Sequence, residues 1–130
     1  MGTPLKVAVV SLVLLLAWHG VGRTAIDTRG VVPAPTRELL VFEHPDCTYC
    51  RIFRRDVLPY YRQSIPGDAP PLRFVDLTRT GSGEFSLKGR IEAVPTAVLM
   101  SNGEEVGRIV GYWGRDAFFR LLAHMLARME

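Results

Sequence analysis

Cys47 and Cys50, separated by Thr48-Tyr49, are the only cysteines of this chain and its residues best suited to chemistry. They follow a short apolar run, Glu38 to Glu43, and precede RIFRRDVLPYYRQ, where Ile52, Phe53, Val57 and Tyr60 or Tyr61 recur at helical spacing. The pair therefore stands between a strand and the start of a helix. The first N–H groups of a helix have no intrahelical partner and carry a partial positive charge. A sulfur placed there becomes a thiolate more readily than a free cysteine, whose pKa is ~8.5. Cys47 is the expected nucleophile toward a disulfide. Cys50, one turn on, is the expected resolving thiol, attacking the mixed disulfide formed on Cys47. A purely structural bridge is the weaker reading, because so small a loop removes little entropy from the unfolded chain.

The same segment offers a metal-binding alternative. His44, Cys47 and Cys50 have H-x2-C-x2-C spacing, and imidazole plus thiolates suit Zn or Cu(I). The segment supplies only three ligands, however, and there is no second C-x-x-C. His19 lies in an N-terminal apolar segment, and His124 falls between the apolar positions of the last helix. A c-type haem needs His directly after the second Cys, where Arg51 stands.

Val94-Pro95-Thr96 is a second signal: proline in a central strand is a misfit unless the bond before it is cis or the position is special, and alone it reads as an edge-strand or strand-start residue, a reading the upstream Cys pair reverses. A cis Val94–Pro95 bond lying against the cysteines leaves the Val94 backbone free to pair with an extended substrate segment. Charges nearby pull in both directions. Arg51, Arg54 and Arg55 form either a stripe that favours the thiolate or a solvated face, and Asp46 either opposes the thiolate or caps the helix. Tyr112 and Trp113, in the break after the last strand, are either partner-binding aromatics or core.

Positioning these residues requires a sheet. Leu72–Leu77 alternates as a second strand, Val94–Met100 is a third, and Val106–Val110 returns as a fourth through the Asn102-Gly103 turn. Glu84–Ile91 reads as at best a short helix. Arg115–Met129 carries Phe118, Leu121, Leu122, Met125, Leu126 and Met129 on one stripe. The order β-α-β-(α)-β-β-α is that of an α/β domain with a mixed four-stranded central sheet flanked by helices.

The 130 residues, 48% hydrophobic and 22% charged, make one ordinary domain. A net charge of +3, spread along the chain, is no phosphate-binding stripe, so nucleic acid is an unexpected partner. Val7 to Ala17 is apolar except for Ser11 and follows Lys6. That run has the length of a signal-peptide core and falls short of the ~20 residues that span a bilayer. Residues 1–22 are read as a signal peptide, cut after Gly22, or as a retained membrane anchor. A buried first helix is the third option. The first two place the rest outside the cytoplasm, in a periplasm-like compartment, with any membrane contact confined to this segment. Residues 23–36 read as a linker, with Val31-Val32 as a short edge strand, and residues 37–130 as the domain.

C-x-x-C after the first long strand, V-P-T opening a hairpin, a G-Y-x-G break and an amphipathic last helix together resemble the thioredoxin superfamily over roughly Glu38 to Arg128. FEHPDCTYCRIFRRDVLPYY, LRFVDL and VPTAVLMSNGEEVGRIVGYWGRDAFF are similar to the periplasmic thioredoxin-like proteins of bacterial sulfur-oxidation (Sox) clusters. The resemblance implies a thioredoxin-like fold and a thiol-disulfide reductase with no cofactor beyond a redox-active Cys47–Cys50 disulfide. It implies a protein disulfide or thiol as substrate, with a Sox carrier protein as the candidate, and a membrane electron-relay protein as reductant. Val94, Pro95, Thr48 and Tyr49 are the expected substrate contacts. Thioredoxin itself has W-C-G-P-C, whereas Asp46 and Thr48-Tyr49 stand here. Its buried acid six residues before the first Cys is Val41 here, and Glu43, on the same strand face, is the candidate proton acceptor. Two alternatives remain open: a periplasmic copper-binding chaperone using His44, Cys47 and Cys50, and a disulfide oxidase or isomerase. The latter needs the pair held oxidised or a dimerisation domain, for which 130 residues leave little room.

Overall fold

β1 (Arg37–Glu43) is apolar on both faces, with Leu39, Leu40, Val41 and Phe42 all buried, because it lies inside the sheet with material packed on each side. The structure, a computed structural model, describes residues 36–65, 67 and 69–129. The expectations for residues 1–35, including the signal or anchor segment, most of the linker and the Val31-Val32 strand, fall outside the described residues. Among the described residues no helix is long and apolar enough to cross a membrane.

From β1 the chain enters α1 (Thr48–Val57), which ends in a turn of 3₁₀ helix at Leu58–Tyr60, where Pro59 breaks the regular ladder. β2 (Leu72–Asp76) pairs parallel with β1, with Val41 opposite Phe74. β3 (Thr96–Ser101) pairs antiparallel with the other side of β1 and with β4 (Glu104–Val110). The sheet order is β2-β1-β3-β4, and α2 (Arg115–Ala127) closes the chain. This is a mixed four-stranded sheet with two helices, the thioredoxin-like arrangement.

Alternation along the strands divides the core in two. Leu39, Val41, Ala97, Leu99 and Ile109 meet α1 and α2 through Phe53, Val57, Phe118 and Leu122. Leu40, Phe42, Val75, Val98 and Met100 face the other way, onto Leu77, Phe85, Leu87 and Ile91. That second face is covered by irregular chain rather than by the short helix expected over Glu84–Ile91. The only helical turn there is Ser82–Glu84. Phe85 and Leu87 alternate as an extended segment does, Ser86 bridges to Glu104, and Gly81, Gly83 and Gly89 disfavour a helix.

Smaller differences follow from helix phase. On α2, Leu121 is exposed and Phe119 is buried, since the sheet-facing stripe is centred on Phe118, Leu122 and Leu126. After α1 the tighter turn buries Tyr61 and leaves Tyr60 out. The Tyr61 hydroxyl donates to the Pro70 carbonyl at 2.8 Å, and burial pushes this phenol well above its ordinary range. β4 begins at Glu104, two residues earlier than its apolar pattern suggests, because the hairpin turn is so tight. Asn102 and Gly103 both have positive φ, 52° and 83°, the geometry that matches the twist of the flanking strands. Gly103→Ala places a Cβ in that left-handed conformation and is expected to lower stability by about 1 kcal/mol in urea denaturation.

Candidate active site

Three segments meet at one end of the sheet: His44–Cys50, Ala93–Thr96 and Val110–Gly114. Cys47 and Cys50 form a disulfide, with their Cα atoms 5.2 Å apart. Cys47 is the N-cap of α1, with extended backbone, and its sulfur accepts a hydrogen bond from the Cys50 N–H at 3.0 Å. The cap, one of the two roles open to Asp46, is therefore supplied by the cysteine itself. Cys50 lies one turn inside and is 3% exposed, whereas Cys47 is half-buried. The accessible sulfur is thus the one at the helix start.

Val94 and Pro95 lie where the sequence places them. The Val94–Pro95 bond is cis, Pro95 is fully buried, and the Val94 carbonyl oxygen lies 3.6 Å from the Cys47 sulfur. Two groups therefore compete over the Cys47 proton once the disulfide is reduced. The Val94 carbonyl accepts from a thiol, and the Cys50 N–H donates to a thiolate. The N–H is closer and points from the same helix end as the other free N–H groups, the arrangement that stabilises negative charge on a capping atom. Thr96 anchors the segment by donating its hydroxyl to the Ala93 carbonyl at 2.7 Å. The Gly111 N–H donates to the Pro95 carbonyl at 2.8 Å, which ties the third segment to the second.

The arginine stripe is largely committed to neighbours. Arg51 donates to the Thr48 hydroxyl at 3.0 Å and the Pro45 carbonyl at 3.4 Å, wrapping the turn before α1. Arg54 grips both oxygens of Glu43 and stacks its guanidinium 3.5 Å over the Phe74 ring. Arg55 pairs with Asp56 at 2.7 Å. Glu43 does lie on the α1 side of β1, as alternation requires, but its carboxylate is occupied by Arg54, one turn beyond Cys50. The sequence offered no direct sign of that pairing, because strand and helix meet only in the fold.

His44 turns toward Asp46, with its Nδ1 accepting from the Asp46 N–H at 3.2 Å and lying 3.8 Å from the Asp46 carboxylate. Among the described residues no three His, Cys, Asp or Glu side chains are grouped to hold a metal ion, so His44, Cys47 and Cys50 are not assembled as ligands in this disulfide form. Thr48 and Tyr49 are exposed on the first turn of α1, with Tyr49 62% exposed.

The two aromatics differ in burial. Tyr112 packs edge-on against Phe53 at 5.5 Å and donates to Asp56 at 3.4 Å. Arg55 holds the Asp56 carboxyl below its ordinary range, with Tyr112 adding to this, and burial followed by the Asp56 charge pushes the Tyr112 phenol up. Trp113 is 80% exposed, its Nε1 donating to the Val110 carbonyl at 3.2 Å. An open cleft of about 620 Å³ beside Trp113 is lined by Arg55, Tyr60 and Arg115 and contains neither cysteine. Sulfur exchange between two proteins needs an accessible edge, not an enclosing cavity, and the Cys47–Val94 edge is open.

A model of the thioredoxin-like domain family matches residues 31–126. Among solved structures, the periplasmic thioredoxin SoxS from Paracoccus pantotrophus is 32% identical, with a TM-score of 0.65 over 72% of this chain and 99% of that one. Thioredoxin-2 of the malaria parasite is 21% identical with a TM-score of 0.54, covering 74% of this chain and 89% of that one. A thioredoxin from Halobacterium salinarum is 22% identical with a TM-score of 0.54, covering 69% and 74%. These last two share the fold alone. The sequence matches no curated protein significantly.

The two aromatics make contrasting predictions for stability. Trp113→Ala should change the free energy of unfolding by less than about 0.5 kcal/mol, and Tyr112→Ala should lower it by about 2 kcal/mol, both by urea denaturation.

Proposed function

We propose that this chain, which belongs to the thioredoxin-like family and is a thiol-disulfide oxidoreductase, works as an exported reductase that returns a partner protein's disulfide to its thiol form. The observation that carries this reading is the 3.0 Å hydrogen bond from the Cys50 N–H to the exposed-edge sulfur of Cys47, with Cys50 buried behind it.

In the reduced chain the Cys47 thiolate attacks one sulfur of the partner disulfide. That S–S bond breaks, its other sulfur leaves as a thiolate, and a Cys47–partner disulfide forms. Cys50 then gives up its proton and attacks the Cys47 sulfur. The partner leaves with both sulfurs reduced, and the Cys47–Cys50 disulfide remains. Two electrons have moved from the chain to the partner. A dithiol protein tied to the membrane is the proposed source of the two electrons that reset the pair. We assign Glu43 to receive the Cys50 proton, since it lies on the α1 side of β1 next to the turn that carries Cys50. Arg54 must yield one of its oxygens for that.

Val94, Pro95, Thr48 and Tyr49 are the proposed substrate contacts, with the exposed side chains of Val110 and Trp113 extending the same edge. The similarity to a periplasmic thioredoxin at 32% identity, together with the apolar N-terminal run of the sequence, supports the periplasm as the compartment. The same similarity supports a sulfur-oxidation carrier protein, trapped as a disulfide, as the partner. No observation favours copper carriage or disulfide isomerisation over this reading.

Cysteine variants test the roles. Cys50→Ser is expected to accumulate a mixed disulfide with a disulfide-bonded sulfur-carrier protein, attached through Cys47 and visible by non-reducing electrophoresis and mass spectrometry. Cys47→Ser should form none and should lose at least about a thousandfold in insulin-disulfide reduction. Retention of insulin reduction by Cys47→Ser would contradict the assignment.

A further inference from the structure

The edge that faces Cys47 is fed by exposed, irregular chain, and its fastening comes from the far side of the sheet. β4 pairs regularly with β3 except for a bulge, where Leu99 is opposite Gly107 and Met100 is opposite Glu105. The extra residue is Val106. Without it, residues 105 and 108 would point to opposite faces of the strand. With it, Glu105 lies across from Met100 and Arg108 across from Val98, both on the face covered by the irregular chain.

Glu105 is buried there, its side chain 3% exposed, and Arg108 grips both of its oxygens at 2.6 Å. The pair also holds backbone. Glu105 accepts from the Lys88 N–H at 2.8 Å, and Arg108 donates to the Arg90 carbonyl at 3.0 Å and the Gly89 carbonyl at 3.1 Å. Three consecutive residues of the segment leading into Val94 are thus fixed to the edge strand by two side chains. Lys88, Gly89, Arg90, Glu92 and Ala93 are exposed, and Ile91 is the one partly buried side chain between Arg90 and Val94. A buried ion pair is a weak source of stability, but its directed bonds to backbone fix geometry.

We propose that Glu105 and Arg108 are positioning residues for substrate capture, holding the 88–93 segment so that the Val94 backbone lies beside Cys47 ready to receive an extended stretch of the partner. The inference rests on the reading of Val94 as a substrate contact. Neither residue touches the reacting sulfurs, so chemistry at Cys47 itself does not depend on them. Their loss should weaken capture of a polypeptide and leave the thiolate unchanged.

The experiment compares the full-length chain with Glu105→Gln and Arg108→Lys. For each, KM and kcat for insulin reduction are measured with dithiothreitol as electron source, alongside the rate of Cys47 alkylation by iodoacetamide. Glu105→Gln should raise KM about tenfold, with kcat and the alkylation rate unchanged. Arg108→Lys keeps the charge pair but loses the fork to the Gly89 and Arg90 carbonyls, and should raise KM by a smaller factor. Should Glu105→Gln fail to fold, Arg108→Lys decides by the same readouts. A wild-type chain that reduces insulin while the folded variants keep its KM overturns the inference alone. So do variants in which KM, kcat and alkylation deteriorate together, the mark of a merely structural role. A wild-type chain unable to reduce insulin overturns the reductase reading, and this inference with it.

Discussion

One hydrogen bond organises the site: the N–H of Cys50 pointing at the sulfur of Cys47 across the first turn of α1. A sulfur that caps its own helix satisfies an otherwise orphaned donor and sits in the positive end of the helix field. The surroundings add little competing charge. Asp46 is turned toward His44, and Arg54 and Arg55 are neutralised by Glu43 and Asp56. The two sulfurs thus differ in place, Cys47 at the helix start and Cys50 one turn inside, with Arg51 the cation on the turn beside them. Cys50 is buried against the core, and Cys47 is the more accessible of the pair.

The rest of the fold serves to bring a second backbone to that sulfur. β3 lies in the interior of the sheet between β1 and β4, and the residue just before it, Pro95, is fully buried. The Gly111–Pro95 bond and the Thr96–Ala93 bond complete the fastening around the cis peptide. Helices cover one face of the sheet, and the other is covered by chain without regular hydrogen bonding, where side-chain contacts to backbone must substitute.

Much of this was legible in the residues. The C-x-x-C pair between an apolar run and a helical pattern marked the helix start, Val94-Pro95-Thr96 marked the head of the strand that lies beside it, and Asn102-Gly103 announced the hairpin. Each depends on local sequence, and local sequence can be read directly. What escaped depends on contacts between elements. The Glu43–Arg54 pair joins a strand to a helix, and the burial of Phe119 in place of Leu121 reflects which side of α2 faces the sheet. The bulge at Val106 reverses the alternation of β4, so Glu105 and Arg108 come to share a face. The one available sign was a Glu and an Arg three apart in a strand. Regular alternation forbids that pairing, and the bulge permits it. The missing helix over Glu84–Ile91 had its warning in three nearby glycines and in the two-residue spacing of Phe85 and Leu87.

The direct test of an activated sulfur is the pH dependence of Cys47 alkylation in the reduced, full-length chain, with Cys50 replaced by Ser so that a single thiol reports. A cysteine capping its own helix should react with an apparent pKa below about 7.5, a substantial part of it already thiolate at neutral pH. A titration at about 8.5 or above, the value of an unassisted thiol, would show that the helix start confers no activation, and the division of roles between the two cysteines would lose its physical basis.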